Sequence, residues 1–388
     1  MNLLLSLPAF HPGYGGPFFS VGALASALAS RGHRVGLIAS DFPELPVQAA
    51  PEGVALFPLK AVRVPLLRSS RILGGRCAVE AVFDEFAPDV VHDNGMWLAQ
   101  NHWVSRIAVE LGIPLLHSPR GCLDPWAMRH RGWKKKLALK LYQRTDLERV
   151  SCFHAASELE AESIRRMGLG QPIAVIPNGI ELPEAAEDSE HRTSNIERPT
   201  SKCFSTKRYA LFMGRLHPIK NLPTLLLAWA QVRPEGWRLK LAGSDELAHR
   251  SELEQLARDL GIAEQVEFLG PVYGDAKWEL IRGASLAFLI SHSENFGISA
   301  AEALGCGVPV IASKTTPWEC LLTEKTGWWV EGDPASVAGA LSEALQLEDR
   351  ELAAMGRRGA AYVKSTFSWD VISECFLEVY EECRSGFS

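Results

Sequence analysis

The chain has 388 residues, more than one ordinary hydrophobic core accommodates, so two domains are expected. It is 47% hydrophobic and 22% charged, an ordinary globular composition, and its formal charge of −6 argues against nucleic acid as the main partner, because there is no global basic excess to displace counterions. No run reaches the length of a membrane span and Met1 to Pro8 carries no basic leader; the eight cysteines (77, 122, 152, 203, 306, 320, 375 and 383) lack C-x-x-C spacing, so free thiols in a cytoplasmic protein are expected rather than disulfides or a zinc site.

Asn2 to Leu7 reads as a short strand that runs into a glycine turn, His11-Pro12-Gly13-Tyr14-Gly15-Gly16-Pro17. Val21, Leu24 and Leu28 then recur at helical spacing, the helix ends near Arg31-Gly32, and Val35 to Ala39 is the next strand. This is a βαβ unit whose glycines at 15 and 16 allow a backbone to approach a phosphate or sugar. The turn lacks G-x-G-x-x-G, which disfavours a nicotinamide cofactor. Further strands, Asp89 to His92 and Pro114 to His117, are followed by the polar turns Asp93-Asn94-Gly95 and Ser118-Pro119-Arg120-Gly121. Polar residues at the carboxyl ends of parallel strands stand where ligands bind in such sheets.

The segment from Trp126 to Lys140 is basic with interleaved tryptophans, and Trp126, Trp133, Lys134, Lys135 and Lys136 suit either a solvated helix face or contact with anionic lipid headgroups. A helix carrying Glu158, Leu159, Ile164 and Met167 follows, and Ala174 to Gly179 closes the first half. Residues 184–207 are polar with few large apolar side chains, and read as a linker or insertion. The division is therefore 1–183, completed by about 368–388, then 208–367.

The second half restarts with the strand Tyr209 to Met213 and the turn Gly214-Arg215-Leu216-His217-Pro218-Ile219-Lys220, then a helix from Pro223 to Gln231. Arg215 can fork two phosphate oxygens and Lys220 adds a compact charge. Leu239 to Ser244 and Val266 to Val272 are two further strand-and-turn signals. The apolar run Ala284 to Ile290 is a buried strand; Gly297 opens a small-residue helix that stops at Gly305 and Gly307, and Val308 to Ala312 is a strand again. Glu294 precedes this helix and Glu302 lies on it, with the amides of Asn295, Phe296, Gly297 and Ile298 at its N-terminus. Such amides attract phosphate and carboxylates accept from hydroxyls, so the pattern suits a sugar–diphosphate–ribose ligand. In the tail, Val371, Ile372, Phe376, Val379 and Tyr380 recur at helical spacing as packing residues.

Taken together, Gly214-Arg215 with Lys220, the stretch from Glu294 to Glu302, and Gly305-x-Gly307-x-Pro309-Val310 resemble the C-terminal signature of retaining nucleotide-sugar glycosyltransferases of family four. Ser118 to Ala127 resembles members that build bacterial surface polysaccharides. The resemblance implies an α/β GT-B fold: two Rossmann-like, doubly wound parallel-sheet domains facing a cleft, with a C-terminal helix crossing back to the N-terminal domain. It implies that Glu294 holds the donor-sugar hydroxyls, that Asn295, Phe296 and Gly297 contact sugar and diphosphate, and that Glu302 binds the ribose. Arg215 and Lys220 would neutralise the leaving diphosphate, Gly15 and Gly16 would close on it, and Gly270 and Val272 would flank the base. Many relatives carry His at the position of Arg120, so either Arg120 or His117 fills the role facing the donor sugar.

The expected reaction is transfer from a GDP- or UDP-sugar to a glycan or lipid-linked acceptor, with retention. No cofactor and no metal are expected, since the chain has no Asp-x-Asp. The protein would work in the cytoplasm or on the inner face of the cytoplasmic membrane. A sugar-nucleotide 2-epimerase of the same fold and a non-catalytic sugar-nucleotide-binding protein are the alternatives.

Overall fold

The computed structural model describes residues 1–64, 69–129, 132–182 and 208–386. The linker expected over 184–207, and His130 and Arg131 of the basic segment, lie outside the described residues. The chain divides into two compact units, Met1–Gly179 with Phe367–Ser388, and Ile180–Thr366.

The first unit is built on β1 (Asn2–Leu7), β2 (Arg34–Asp41), β3 (Val54–Val64), β4 (Ser69–Ile72), β5 (Val90–Asn94), β6 (Leu115–Ser118), β7 (Cys152–Ala155) and β8 (Ile173–Val175), in the order β4-β3-β2-β1-β5-β6-β7-β8. Neighbours run parallel except β4, which pairs antiparallel with β3 through Ala61 opposite Ile72. That hairpin adds one antiparallel edge to an otherwise parallel sheet. Helices cover both faces, so the inner strands are buried on both sides and read as apolar runs. All five residues of β5 are buried, including His92, Asp93 and Asn94.

The last helix, Trp369–Ser385, is capped by Ser368 and buries Ile372, Phe376, Tyr380 and Cys383 along one face. They share a core with Val21, Leu24 and Leu28 of helix Gly16–Ser30, so the C-terminus completes the first unit, as the GT-B resemblance implied. Each such side chain contributes about 1.5–3 kcal/mol by burial. Gly179 packs against this helix, and a Cβ there would lie 2.4 Å from the Trp369 ring.

The second unit contains β9 (Arg208–Met213), β10 (Trp237–Ala242), β11 (Val266–Gly270), β12 (Leu286–Leu289), β13 (Val310–Ser313) and β14 (Gly327–Val330), ordered β11-β10-β9-β12-β13-β14 and parallel throughout. Leu222, Leu225, Leu226 and Trp229 of helix Leu222–Val232 and Val337 and Leu341 of helix Pro334–Gln346 fill one side of the sheet. Both sheets reverse winding direction beside their first strand, between β1 and β5 and between β9 and β12. Loops at the carboxyl ends of such strand pairs splay apart and leave a crevice for a ligand.

Candidate active site

In the second unit the turn after β9 and the loop after β12 meet at the switch point. His217 Nδ1 accepts from the Ile219 amide at 3.1 Å and caps a short turn, Pro218–Lys220. Asn221 then takes a left-handed conformation, φ 54°, and opens helix Leu222–Val232. The His292 amide donates to Ile219 O at 2.8 Å and stitches the two loops together. Lys220 Nζ donates to Glu294 Oε1, and Ser291 Oγ donates to the same oxygen at 2.7 Å. Both partners are mostly buried, with 17% of the Lys220 side chain and 13% of the Glu294 side chain exposed. The two residues sequence reading assigned to different parts of a ligand are thus paired with each other.

The loop on either side of Glu294 is tightly held. Ser291 O accepts from Ser313 Oγ at 2.8 Å and Thr315 Oγ1 at 2.5 Å. Trp318 Nε1 donates to Phe296 O at 2.6 Å, and its ring lies 5.5 Å from that of Phe296. Gly297 adopts φ 83°, and a Cβ there would sit 2.6 Å from Leu289 Cδ2 and 2.9 Å from Trp318 Nε1. Only glycine fits this turn, which delivers the chain into helix Ile298–Gly305. The Ala300 amide bonds back to Gly297 O at 2.9 Å, while those of Ile298 and Ser299 have no intrahelical partner and, with the positive end of the dipole, form an anion site.

Four positions further on, Glu302 is buried and accepts from Lys277 Nζ at 2.5 Å. Burial raises the Glu302 carboxyl above the usual carboxylate range, and Lys277 opposes that shift. Sequence reading missed Lys277, Ser291, Ser313, Thr315 and Trp318, because none stands in a recognisable motif. Arg215 is turned elsewhere: its Nη1 donates to both oxygens of Glu246, at 3.0 and 2.8 Å, on the surface. Gly270 and Val272 stand at the carboxyl end of β11, the sheet edge two strands from β9.

In the first unit, Gly15 (φ 86°) and Gly16 lie at the carboxyl end of β1 with open space around them. Arg120, φ 54°, occupies the turn after β6; its Nε donates to Asn94 Oδ1 and its Nη1 to Asn178 Oδ1, both at 2.9 Å. Burial pushes its guanidinium down from the usual arginine value. His117 is only 3% exposed, and its Nδ1 lies 3.2 Å from Asp93 Oδ2. Of the two candidates, Arg120 stands in the turn at the strand ends while His117 is enclosed within the unit.

Between Arg120 and the last helix runs a buried chain of hydrogen bonds that sequence reading did not anticipate. His154 Nε2 faces Ile176 O at 2.8 Å and must carry the proton, so Nδ1 accepts from Ser118 Oγ at 2.6 Å. Ser118 Oγ then accepts from His92 Nε2 at 2.7 Å, which leaves His92 Nδ1 to accept from Tyr380 Oη at 2.8 Å. One proton arrangement satisfies every member with both histidines neutral, and burial, the largest influence on each, lowers both imidazoles.

The fold is that of several solved structures. A sucrose-phosphate synthase from Thermosynechococcus elongatus superposes with a TM-score of 0.79 at 21% identity, over 99% of each chain. The Anabaena protein HepE, solved in complex with UDP and glucose, superposes with 0.72 at 17% identity, over 98% of this chain and 100% of that one. At these identities the likeness is one of fold, the GT-B arrangement of two Rossmann-like parallel-sheet domains. The sequence matches the Glycosyl transferase 4-like domain over residues 15–179 and Glycosyl transferases group 1 over 194–361. A D-inositol 3-phosphate glycosyltransferase of Acidothermus cellulolyticus is 29% identical over 95% of this chain and 86% of that protein. One of Corynebacterium jeikeium is 33% identical, over 54% of this chain and about half, 52%, of its own. The chain belongs to the group 1 glycosyltransferases.

Proposed function

We propose that the chain transfers a hexosyl group from a GDP- or UDP-sugar to a saccharide or lipid-linked saccharide acceptor in surface polysaccharide synthesis, with retention at the anomeric carbon and no bound metal. The observation that carries this reading is the meeting of Lys220, Glu294 and the N-terminus of helix Ile298–Gly305 at the second sheet's switch point. Glu294 accepts from donor-sugar hydroxyls. Lys220 has three N–H donors, of which Glu294 takes one, so the same ammonium can also meet a diphosphate at the helix N-terminus. Arg215 reaches that diphosphate by leaving Glu246, an exposed pairing that contributes under about 1 kcal/mol. Cations and amides fixed in place stabilise the charge that develops as the nucleoside diphosphate departs. Glu302 binds the ribose and Gly270 and Val272 flank the base. The UDP and glucose bound by HepE support a nucleotide-sugar donor.

The acceptor reading includes an anionic membrane surface. Trp133, Leu137 and Leu141 are four residues apart and 69%, 49% and 69% exposed. From Pro125 to Thr145 the sequence has seven Lys or Arg and no Asp or Glu. Lys135 is turned inward, its Nζ donating to Ala127 O at 2.7 Å, so Lys134, Lys136 and Lys140 carry the outward charge. Among the described residues no helix is long and apolar enough to cross a membrane.

A thermal-shift screen of UDP-, GDP- and ADP-sugars identifies the donor, because a ligand that binds only the native state raises its melting point with affinity. With that donor, Glu294→Ala and Lys220→Ala should each abolish transfer, and the anomeric proton of the product should report retention. Wild-type turnover in both variants, or an inverted product, overturns the assignment.

A further inference from the structure

Glu302 is enclosed, yet it accepts most strongly from ribose hydroxyls as a carboxylate. The group that meets it comes from a separate element: Lys277 on helix Gly274–Arg282, which follows β11. Lys277 is itself largely buried, with 24% of its side chain exposed and its ammonium 4.7 Å from the centre of the Trp278 ring. Its bond goes to Glu302 Oε1 alone, and no described residue donates to Oε2. The other titratable group facing Glu302 is Cys306, one turn along the same helix. Burial pushes that thiol up to about 11, so it stays neutral, and Arg282 acts on it rather than on Glu302.

We propose that Lys277 is a positioning residue for the ribose of the donor: it holds Glu302 as a carboxylate, fixes Oε1, and leaves Oε2 to accept from the vicinal ribose hydroxyls. The inference rests on the reading of Glu302 as the ribose acid. Without Lys277, burial acts on Glu302 unopposed. A protonated Glu302 loses acceptor capacity, and with it the preference for ribose over deoxyribose.

The test is calorimetric binding of UDP and GDP and their 2′- and 3′-deoxy counterparts to the full chain between pH 6 and 8.5. Wild type should prefer the ribonucleotide by roughly tenfold to a hundredfold, the value of a hydrogen bond to a charged group, with little pH dependence. Lys277→Met should narrow that ratio and make it rise with pH across the range, while Lys277→Arg should keep it wide and level. Should Lys277→Met fail to fold, Lys277→Gln keeps a neutral donor to Glu302 Oε1 and should show the narrowed ratio at pH 7. A wild-type, pH-independent ratio in Lys277→Met, or in Lys277→Gln, overturns the role of Lys277. An unchanged ratio in Glu302→Gln alone instead removes the ribose reading beneath it, so the two failures are distinguishable.

Discussion

Acid should weaken the first unit through the buried histidines. Burial pushes the His154 imidazole down to about 3, against an unfolded value of 6.5, and His92 moves in the same direction. Below pH 6.5 the unfolded chain takes up protons that the folded chain refuses, so stability present above 6.5 is lost as the pH falls toward 3. Between pH 7 and pH 5 His154 alone should cost about 2 kcal/mol, or about 1.4 kcal/mol per unit once below 6.5. His92 adds to the loss. The assay is hydrogen exchange on peptides from β5, β6 and β7, corrected for the intrinsic effect of pH, on wild type and His154→Gln. The glutamine keeps a donor for Ile176 O but does not titrate, so the variant should start less stable by about 1–3 kcal/mol and lose stability less steeply. Equal slopes for wild type and variant would refute the reasoning, whatever other groups titrate in the range.

Tyr380→Phe removes the hydroxyl that donates to His92 Nδ1 and leaves a buried acceptor unsatisfied; a loss of about 1–3 kcal/mol is expected in urea unfolding of the first unit. Gly297→Ala forces a Cβ into contact with Leu289 and Trp318 at a left-handed position. Overpacking of about 1–3 kcal/mol should appear mainly as a raised donor KM, and a wild-type KM would show that the turn does not shape the phosphate site. Neutralising Lys134, Lys136 and Lys140 to Gln should release the protein from phosphatidylglycerol vesicles in co-sedimentation, with loss of about 1 kcal/mol per lysine. Unchanged sedimentation refutes the membrane contact.

Strands and their terminal turns were readable because parallel strands buried on both faces are apolar runs, and glycine or polar residues mark where they end. Val90-Val91, Leu115-Leu116 and Leu286 to Leu289 all follow that rule. The β3–β4 hairpin lies at a sheet edge, where Pro58 interrupts the apolar run of β3 and the short β4, Ser-Ser-Arg-Ile, carries none. Helices such as His249–Asp259 bury only His249, Leu253 and Ala257, too thin a stripe to stand out in a charged sequence. In the site, Glu294 and Lys220 were legible as chemistry but their pairing was not, because 74 positions separate them and only the order of β9 and β12 brings them together. Lys277 was invisible for a related reason: Gly-Asp-Ala-Lys-Trp-Glu reads as a solvated helix start, and nothing local points to a carboxylate 25 residues away. Arg120 was singled out by its motif, but Asn94 and Asn178, which hold it, come from the ends of other segments.

A site for a sugar nucleotide faces an electrostatic conflict, since hydroxyls are best held by carboxylates while a diphosphate repels them. At ~6 Å and an effective dielectric of about 20, one such repulsion is about 3 kcal/mol. Here each acid has its own lysine, Glu294 with Lys220 and Glu302 with Lys277, so the carboxylates stand beside the helix N-terminus without presenting net negative charge. For UDP, which has no sugar to reward Glu294, this predicts an order of binding. Lys220→Ala should be the weakest, because it removes a phosphate contact and also bares Glu294. The double variant K220A/E294A should bind UDP more tightly than Lys220→Ala, by roughly tenfold or more if half of that repulsion is relieved. Glu294→Ala should bind UDP at least as well as wild type while losing affinity for the sugar nucleotide. Calorimetric titration of the four proteins with UDP closes the cycle, and equal affinities for Lys220→Ala and the double variant would show that Glu294 does not face the diphosphate.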